Sequence, residues 1–340
     1  MKTVLLTGSG SFCAVNILKS LKQTNKYRIV ATDIFSDSAG IFRANVGYLV
    51  PQENKNDNKY IDSLLNICTN ENIDILIPGF DSELPYIYEA KSRFEAFGTK
   101  VLIGNDNLLT ISEDKYKLSK FLEANNYPFL KSFHLLEYHN ALPFPFVIKP
   151  KAGWGQRGFS IIHNKKEFDY VVDSIQDPDN YMVQEYIDET EGEYTNSVSV
   201  ATDYDILGCI CAKRELVKGS SRKIIVDEYP YLKEQLIAIA KTIHSPGPIN
   251  FQCRLRSGKA FIFEINARFS TINSVRAVCG YNEVDILVDN FLTGNKTFID
   301  SYQKKMAIAY FDYVFVDPND VDVFAASKRT TASGQIYNWL

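Results

Sequence analysis

The sequence predicts an α/β protein of two or three lobes, the first built on a parallel sheet and the last rich in strands. Three observations predict it. Over the first hundred or so residues, short apolar runs alternate with stretches of helical spacing, the pattern of strand–helix units whose strands lie parallel. From Tyr181 onward, strands follow one another with a single helix between them. The chain has 340 residues, more than one compact domain usually holds.

The elements are expected in this order. Residues 4–6 form a first strand ending in Thr7-Gly8-Ser9-Gly10, and a helix follows from about Phe12, with Val15, Leu18 and Leu21 three apart. Residues 28–32 read as a strand ended by Asp33. Ile61, Leu64, Leu65 and Cys68 have helical spacing, and 73–77 is a buried strand closed by Pro78-Gly79. A helix over 83–97, stopped by Gly98, and a strand over 100–103 complete the first unit.

The character then changes. Ser112 is the expected N-cap of a helix with Glu113 and Asp114 near its positive end. That helix carries Leu118, Phe121 and Leu122 and stops near Tyr127-Pro128. Strands over 146–149 and 159–163 flank the glycine-containing segment 151–158, and a helix covers 165–175. Strands follow over about 181–187, 193–202, 205–217 and 222–228, then a helix with Leu232, Leu236, Ile239 and Ile243 on one face. A hairpin over 249–266 turns at Ser257-Gly258. Three domains result: 1–110, 111–180 and 181–340.

Composition narrows the partners. The net charge is −4 and no run of Lys or Arg occurs, which argues against nucleic acid or an anionic membrane as the main partner. The opening MKTVLLTGSG has one Lys and a three-residue apolar run, a first strand rather than a signal peptide. No stretch of about 18 apolar residues occurs. The six cysteines include no Cys-x-x-Cys pair, so reduced, buried thiols in a cytoplasmic protein are expected.

Four stretches can carry chemistry. Gly8-Ser9-Gly10-Ser11-Phe12-Cys13 follows a strand as a dinucleotide fingerprint does, with Asp33 near the place of a ribose-binding acid; its third glycine is replaced by Cys13. The bland reading is a tight strand-to-helix turn. Lys149 ends an apolar strand and precedes Gly153, Gly155 and Gly158, a loop that can fold over phosphates through its backbone N–H groups, or else an ordinary turn. Gln184-Glu185-Tyr186-Ile187 offers an extended edge to an adenine, and Glu193 a carboxylate to ribose hydroxyls; an edge-strand glutamate at the surface is the alternative.

The fourth stretch pairs Gln252 with Glu264 and Asn266. Glu264 and Asn266 share one face of a very apolar strand, where polar groups are costly without partners. Carboxylate and amide oxygens are ligands that magnesium prefers. A surface pairing of Glu264 with Arg254 or Arg268 is the competing reading. A shared metal requires Gln252 and Glu264 on one face. We expect a three-residue turn Ser257-Gly258-Lys259, which pairs Gln252 with Glu264; a two-residue turn pairs Gln252 with Phe263.

In order and spacing, Lys115, Lys149, the loop 151–158, Gln184-Glu185, Glu193, Gln252, Glu264, Asn266 and Arg268 resemble an ATP-grasp domain. The pattern is most similar to a half of the carbamoyl-phosphate synthetase large subunit, and less so to biotin carboxylase and D-alanine–D-alanine ligase. The resemblance covers about residues 1–295. It implies an ATP-grasp fold preceded by a Rossmann-like pre-ATP-grasp domain, with 111–180 as the lid subdomain and 181–340 as the large subdomain.

The resemblance also implies roles. Lys115 and Lys149 contact ATP phosphates, and the loop with Gly153, Gly155 and Gly158 closes over them. Gln184, Glu185 and Ile187 meet the adenine, the last two through backbone, and Glu193 holds the ribose. Gln252, Glu264 and Asn266 bind magnesium (or manganese). Gln252 stands where many members carry an acid, which removes one negative charge from the metal site. Arg268 stabilises charge on the transferring phosphoryl group or on the activated carboxylate, and Lys149 is the other catalytic residue.

The implied activity is ATP-dependent ligation of a small-molecule carboxylate to an amine or similar nucleophile through an acyl phosphate, giving ADP and phosphate. A homodimer is the one protein partner allowed for. Lys213 and Arg214 receive no role. Asp81 and Glu83 are either contacts to a substrate amine or helix N-terminal acids without function. Two rival readings stand beside this one: a nicotinamide-dependent oxidoreductase using Gly8, Gly10 and Asp33, and a non-catalytic nucleotide-binding protein of the same fold.

Overall fold

The alternating apolar runs form a parallel sheet in the computed structural model, which describes residues 1–153, 157–217 and 219–337. Strands β1 (Lys2–Leu6), β2 (Tyr27–Asp33), β3 (Val46–Leu49), β4 (Ile75–Ile77) and β5 (Lys100–Val101) lie in the order β3-β2-β1-β4-β5, every pair parallel. Val4, Leu5 and Leu6 are wholly buried, as a central strand covered on both faces requires. The strand order reverses at β1 and β4, which opens a crevice at their C-terminal ends.

Helices α1 (Phe12–Thr24) and α2 (Lys59–Asn70) follow the expected spacing. Ser11 caps α1 by accepting from the Ala14 N–H at 3.0 Å. The single helix expected over 83–97 is instead a 3₁₀ turn, Asp81–Glu83, followed by α3 (Leu84–Glu89) and α4 (Lys91–Ala96).

Helices α5 (Asp106–Glu113) and α6 (Lys115–Ala124) lead to a small antiparallel sheet. Its strands β6 (Ser132–His134), β7 (Phe146–Pro150), β8 (Ser160–Ile162) and β9 (Tyr181–Glu185) run in the order β6-β9-β7-β8, and Phe168 and Val172 of α7 (Lys165–Ser174) pack against its core. The expected cap at Ser112 is corrected. Ser112 lies in the last turn of α5, and Asp114 caps α6, accepting from Tyr116 N–H at 2.8 Å and Lys117 N–H at 3.1 Å. Asp114 has the extended backbone of a cap, and its full negative charge suits the positive helix end better than a hydroxyl does.

A larger antiparallel sheet holds β10 (Glu193–Val200), β11 (Ile206–Val217), β12 (Ser220–Val226), β13 (Gly247–Arg256), β14 (Lys259–Asn266) and β15 (Lys305–Ile308), in the order β14-β13-β10-β11-β12-β15. Helix α8 (Pro230–Ile243) packs on β10, β11 and β14, while α9 (Asn273–Val278) and α10 (Glu283–Thr293) pack on α1 of the first lobe.

The chain then returns to where it began. Phe324 of α11 (Pro318–Ser327) meets Phe42 edge-on, ring centroids 6.1 Å apart, and β16 (Arg329–Thr330) pairs antiparallel with β3. Residues 181–340 therefore do not all lie in one lobe. The free edge of β3 and the apolar pocket around Phe42 take up the last segment. All six cysteines are buried and unpaired, and among the described residues no helix is long and apolar enough to cross a membrane.

Candidate active site

Two adjoining cavities lie among the lobes. One, of about 540 Å³, is lined by Lys115, Lys149, Gly153, Gln184, Glu185, Ile187, Glu193, Gln252, Glu264 and Arg268 among others, so most of the residues singled out in the sequence meet in one place. The other, of about 1010 Å³, opens at the crevice of the first sheet and has Asn266 in its wall. Asp81, Lys115, Gly153 and Glu264 line both.

The hairpin β13–β14 brings the polar residues together by a different route from the one expected. Its turn has two residues, Ser257 (φ +52°) and Gly258 (φ +72°), not three, and Arg256 pairs with Lys259. Both φ values suit the tight turn that matches strand twist. The two-residue register alone would set Gln252 against Phe263. Instead a bulge leaves Phe263 unpaired, so Gln252 faces Glu264 and Asn250 faces Asn266. The pairing required of a shared metal site is present because the extra residue sits in the strand rather than in the turn.

Glu264 collects both amides on one carboxylate oxygen: Gln252 Nε2 donates to it at 2.9 Å and Asn266 Nδ2 at 3.4 Å. Its other oxygen has no hydrogen bond among the described residues. The amide oxygens are engaged from the far side, Gln252 by Arg214 at 2.6 Å and Asn266 by Arg268 at 3.4 Å. The oxygen set fits a hard divalent cation, with Glu264 open at once and the amides open once the arginines turn away.

Lys149, at the end of β7, is 8% exposed. Its ammonium group makes no ion pair or hydrogen bond among the described residues, and its one close neighbour of note is the Phe263 ring, 5.9 Å away. Burial, with Lys115 and Arg254 adding repulsion, pushes its pKa down to about 7 against the attraction of Glu264. Lys115, the first residue of α6, donates to Gly153 O at 2.7 Å and so ties that helix to the glycine segment.

Two glycines of the segment are required for different reasons. A β-carbon at Gly158 would lie 2.4 Å from Tyr181 Oη, whereas at Gly153 there is open space and only the backbone, φ +117°, demands glycine. Gly155 lies outside the described residues.

On the adenine side, Gln184 is buried and donates to Ser132 Oγ at 2.9 Å. The Glu185 carboxylate pairs with Arg256 at 2.6 Å, and its N–H donates to Lys131 O. Ile187 O accepts from Arg254 at 2.6 Å, while the Ile187 N–H has no partner among the described residues.

Glu193 is held harder than expected. Register places it opposite Arg214 on β11 and Arg254 on β13. One of its oxygens accepts from Arg214 at 3.0 and 2.7 Å, the other from Arg254 at 3.0 and 2.9 Å. With four hydrogen bonds already made, it accepts ribose hydroxyls only if an arginine lets go. Sequence reading gave Arg254 only as a surface partner for Glu264 and not as a partner of Glu193, although a signal existed: Gln252, Arg254 and Arg256 alternate onto one face of β13. Lys213, next to the cleft-lining Arg214, packs its stem on Gly192.

Arg268 reaches across to the first lobe and donates to Asp81 at 2.6 Å. Burial alone would lower its pKa, but Asp81 foremost, with Glu264 helping, holds it above the ordinary guanidinium value. Glu83 lies under the crevice, 6% exposed, accepting from Thr7 Oγ1 at 2.5 Å. Burial raises its pKa to about 8, opposed by hydrogen bonding and helped by Glu53 and Asp33. It is thus a buried neutral acid, while Asp81 is the carboxylate that meets the site.

The glycine turn after β1 is filled by the chain itself. Gly10 N–H donates to Asp33 at 2.6 Å, and a β-carbon at Gly40 would lie 2.0 Å from Ser9 O. Backbone packed this closely leaves no cradle for a pyrophosphate, which disfavours the nicotinamide reading.

Comparison with known proteins agrees with the resemblance expected above. Residues 112–300, more than half of the chain, match the family model of an ATP-grasp domain, and residues 4–102 match that of a PylC-like N-terminal domain. The carbamoyl phosphate synthase large chain of Pseudothermotoga lettingae is 23% identical over 273 residues, 74% of this chain and 24% of the relative. The chain thus spans about a quarter of that relative's length. Among solved structures, N5-carboxyaminoimidazole synthetase from Staphylococcus aureus complexed with ADP superposes with a TM-score of 0.69 at 14% identity, covering 96% of this chain and 86% of that one. An L-amino acid ligase from Bacillus licheniformis gives 0.63 at 18% identity, covering 86% and 74%. At these identities the structural likeness concerns the fold.

Proposed function

Since this chain belongs to the ATP-grasp family, we propose that it is an ATP-dependent ligase, which activates a small-molecule carboxylate as an acyl phosphate and joins it to an amine. The observation that carries this reading is Lys149. A buried ammonium group that makes no ion pair among the described residues, with the attraction of Glu264 outweighed by burial and by Lys115 and Arg254, is costly unless a polyanion joins them. A triphosphate meets that need.

The remaining residues take roles around it. Lys149 and Lys115 neutralise phosphate oxygens, and the segment 151–158, tied to Lys115 at Gly153, covers them and excludes water. Gln184 and the backbone of Glu185 and Ile187 bind the adenine edge, the free Ile187 N–H serving as donor. Glu193 turns to the ribose once Arg214 or Arg254 shifts to the nucleotide. Glu264, with Gln252 and Asn266, would hold magnesium, which when bound neutralises charge on the β and γ phosphates. Arg268, oriented by Asp81, stabilises the transferring phosphoryl group. No protein nucleophile is needed. The buried Cys13 thiol near Arg268 is pushed up to about 12, mainly by burial, and stays protonated.

Attack of the carboxylate at the γ-phosphorus gives ADP and an acyl phosphate, from which the amine then displaces phosphate. Heavy oxygen placed in the carboxylate substrate should therefore appear in the released phosphate, and hydroxylamine should trap a hydroxamate. AMP as the product would point to adenylation, and ADP release without oxygen transfer to a kinase or an uncoupled ATPase. Either result would sink the proposal.

A further inference from the structure

One polar side chain stands in an otherwise apolar row of the smaller cavity, and its orientation is set from behind. Cross-strand register aligns Ser132 of β6, Gln184 of β9, Val147 of β7 and Ile161 of β8. Residues directly opposed across a sheet point to the same face. Gln184, Val147 and Ile161 all line the cavity. A planar base lies well on such a row, and Gln184 is the one side chain of the three that can hydrogen-bond to it.

Which end of that amide faces the cavity is decided by its partners. Gln184 Nε2 donates to Ser132 Oγ at 2.9 Å. Ser132 has a single hydroxyl proton and gives it to Leu130 O at 2.9 Å, which leaves only lone pairs for Gln184. Ser119 of α6 donates to the same carbonyl at 2.8 Å, and one carbonyl oxygen accepts both. Reversing the amide would oblige Ser132 to donate to it and to abandon Leu130, one hydrogen bond fewer. Gln184 is 3% exposed, yet its Oε1 has no hydrogen-bond partner among the described residues. An acceptor held in a cavity wall by a nearly buried side chain, with no donor of its own, points to a ligand that brings one.

We infer that Ser132 is a positioning residue for nucleotide selection: through Gln184 it keeps an oxygen toward the cavity, so that the site takes a purine bearing a 6-amino group and disfavours one bearing a 6-oxo group. This rests on the nucleotide site proposed above. The amino group donates to Oε1, whereas a 6-oxo group would set oxygen against oxygen. Ser132 is not among the residues lining the cavity and acts only through the amide in front of it.

The test is calorimetric titration of the full chain, with magnesium, by ADP and by purine riboside 5′-diphosphate, which lacks only the 6-amino group. The wild type should prefer ADP roughly five- to tenfold, the usual contribution of one hydrogen bond. Ser132→Ala removes the acceptor behind Nε2 and frees the amide to turn. The preference should then fall to about twofold or less, with the melting temperature and the affinity for the amino-free diphosphate near wild type. Gln184→Met should erase the preference as well. A carboxylate accepts through both oxygens, so Gln184→Glu should keep the preference, and adding Ser132→Ala to it should change nothing further. No preference in the wild type, an undiminished one in Ser132→Ala or in Gln184→Met, or the same loss from Ser132→Ala in the Gln184→Glu background would overturn the inference. The last would show that Ser132 acts through the shape of the strand and not through the amide. Failure of both diphosphates to bind would instead defeat the nucleotide reading.

Discussion

Lys149 gives the sharpest prediction, because its charge state should change when nucleotide binds. In the free protein its pKa is about 7, so at pH 8 roughly one molecule in ten carries the proton. Phosphate oxygens at hydrogen-bond distance favour the ammonium form and return the pKa toward 10.5 or above. Binding at pH 8 should then take up about 0.9 proton, and at pH 7 about half a proton. The bound state holds more protons, so affinity is highest at the low end of this window. It should fall as pH rises above 7, by up to about tenfold per unit between pH 8 and 10. Working at pH 8 keeps the phosphates themselves deprotonated. Calorimetry of a non-hydrolysable ATP analogue in Tris and in Hepes, buffers of different ionisation enthalpy, reads the uptake directly. Lys149→Met should abolish it and weaken binding roughly 10–100-fold. Lys149→Arg should abolish uptake while keeping part of the affinity, since the guanidinium is always charged. Uptake below about 0.2 proton at pH 8, or the same uptake in Lys149→Met, would refute the placement of Lys149 against phosphate.

Three further outcomes follow from the site and its supports. Glu264→Gln should leave the thermal melt near wild type and cut ADP release on the order of 100-fold or more at limiting Mg²⁺; near-normal turnover would make Glu264 a structural residue. Deleting Phe263 should remove the bulge yet leave Gln252 opposite Glu264, so Mg·ATP binding should be retained, and one glycine added after Gly258 should also be tolerated. Loss of nucleotide binding in either variant, read by titration, would refute this register. Glu83, raised by burial from 4.5 to about 8, contributes stability that is fully present below pH 4.5 and is lost as pH rises through 8. Glu83→Gln should therefore gain in melting temperature over wild type between pH 5 and pH 8.5, and parallel melts at both pH values would argue against a neutral Glu83.

The elements most legible in the sequence were those whose signal is local. The strands around β1 and β4 are continuous apolar runs, and α1 and α8 show helical spacing, so periodicity alone finds them. The site was legible as a set of residue types in order. What the sequence does not carry is which strands are neighbours. Glu193 meets Arg214 and Arg254 only because β10 lies between β11 and β13, and no single stretch states that. The bulge at Phe263 was hidden for a related reason: the apolar alternation runs on through it, and no glycine marks it. Strands β3 and β16 are too short for periodicity, and each is defined by the other.

The return of the last segment to the first sheet has a consequence for the order of assembly. The partner of β3 lies some 280 residues later in the chain. A ribosome adding about 5–20 residues per second delivers β16 roughly 15–60 s after β3 has emerged. For that interval the nascent lobe carries a bare strand edge and an uncovered Phe42, both of which invite pairing with other chains. Chaperone demand during translation should therefore peak before residues 318–330 are made, and their docking closes the vulnerable edge.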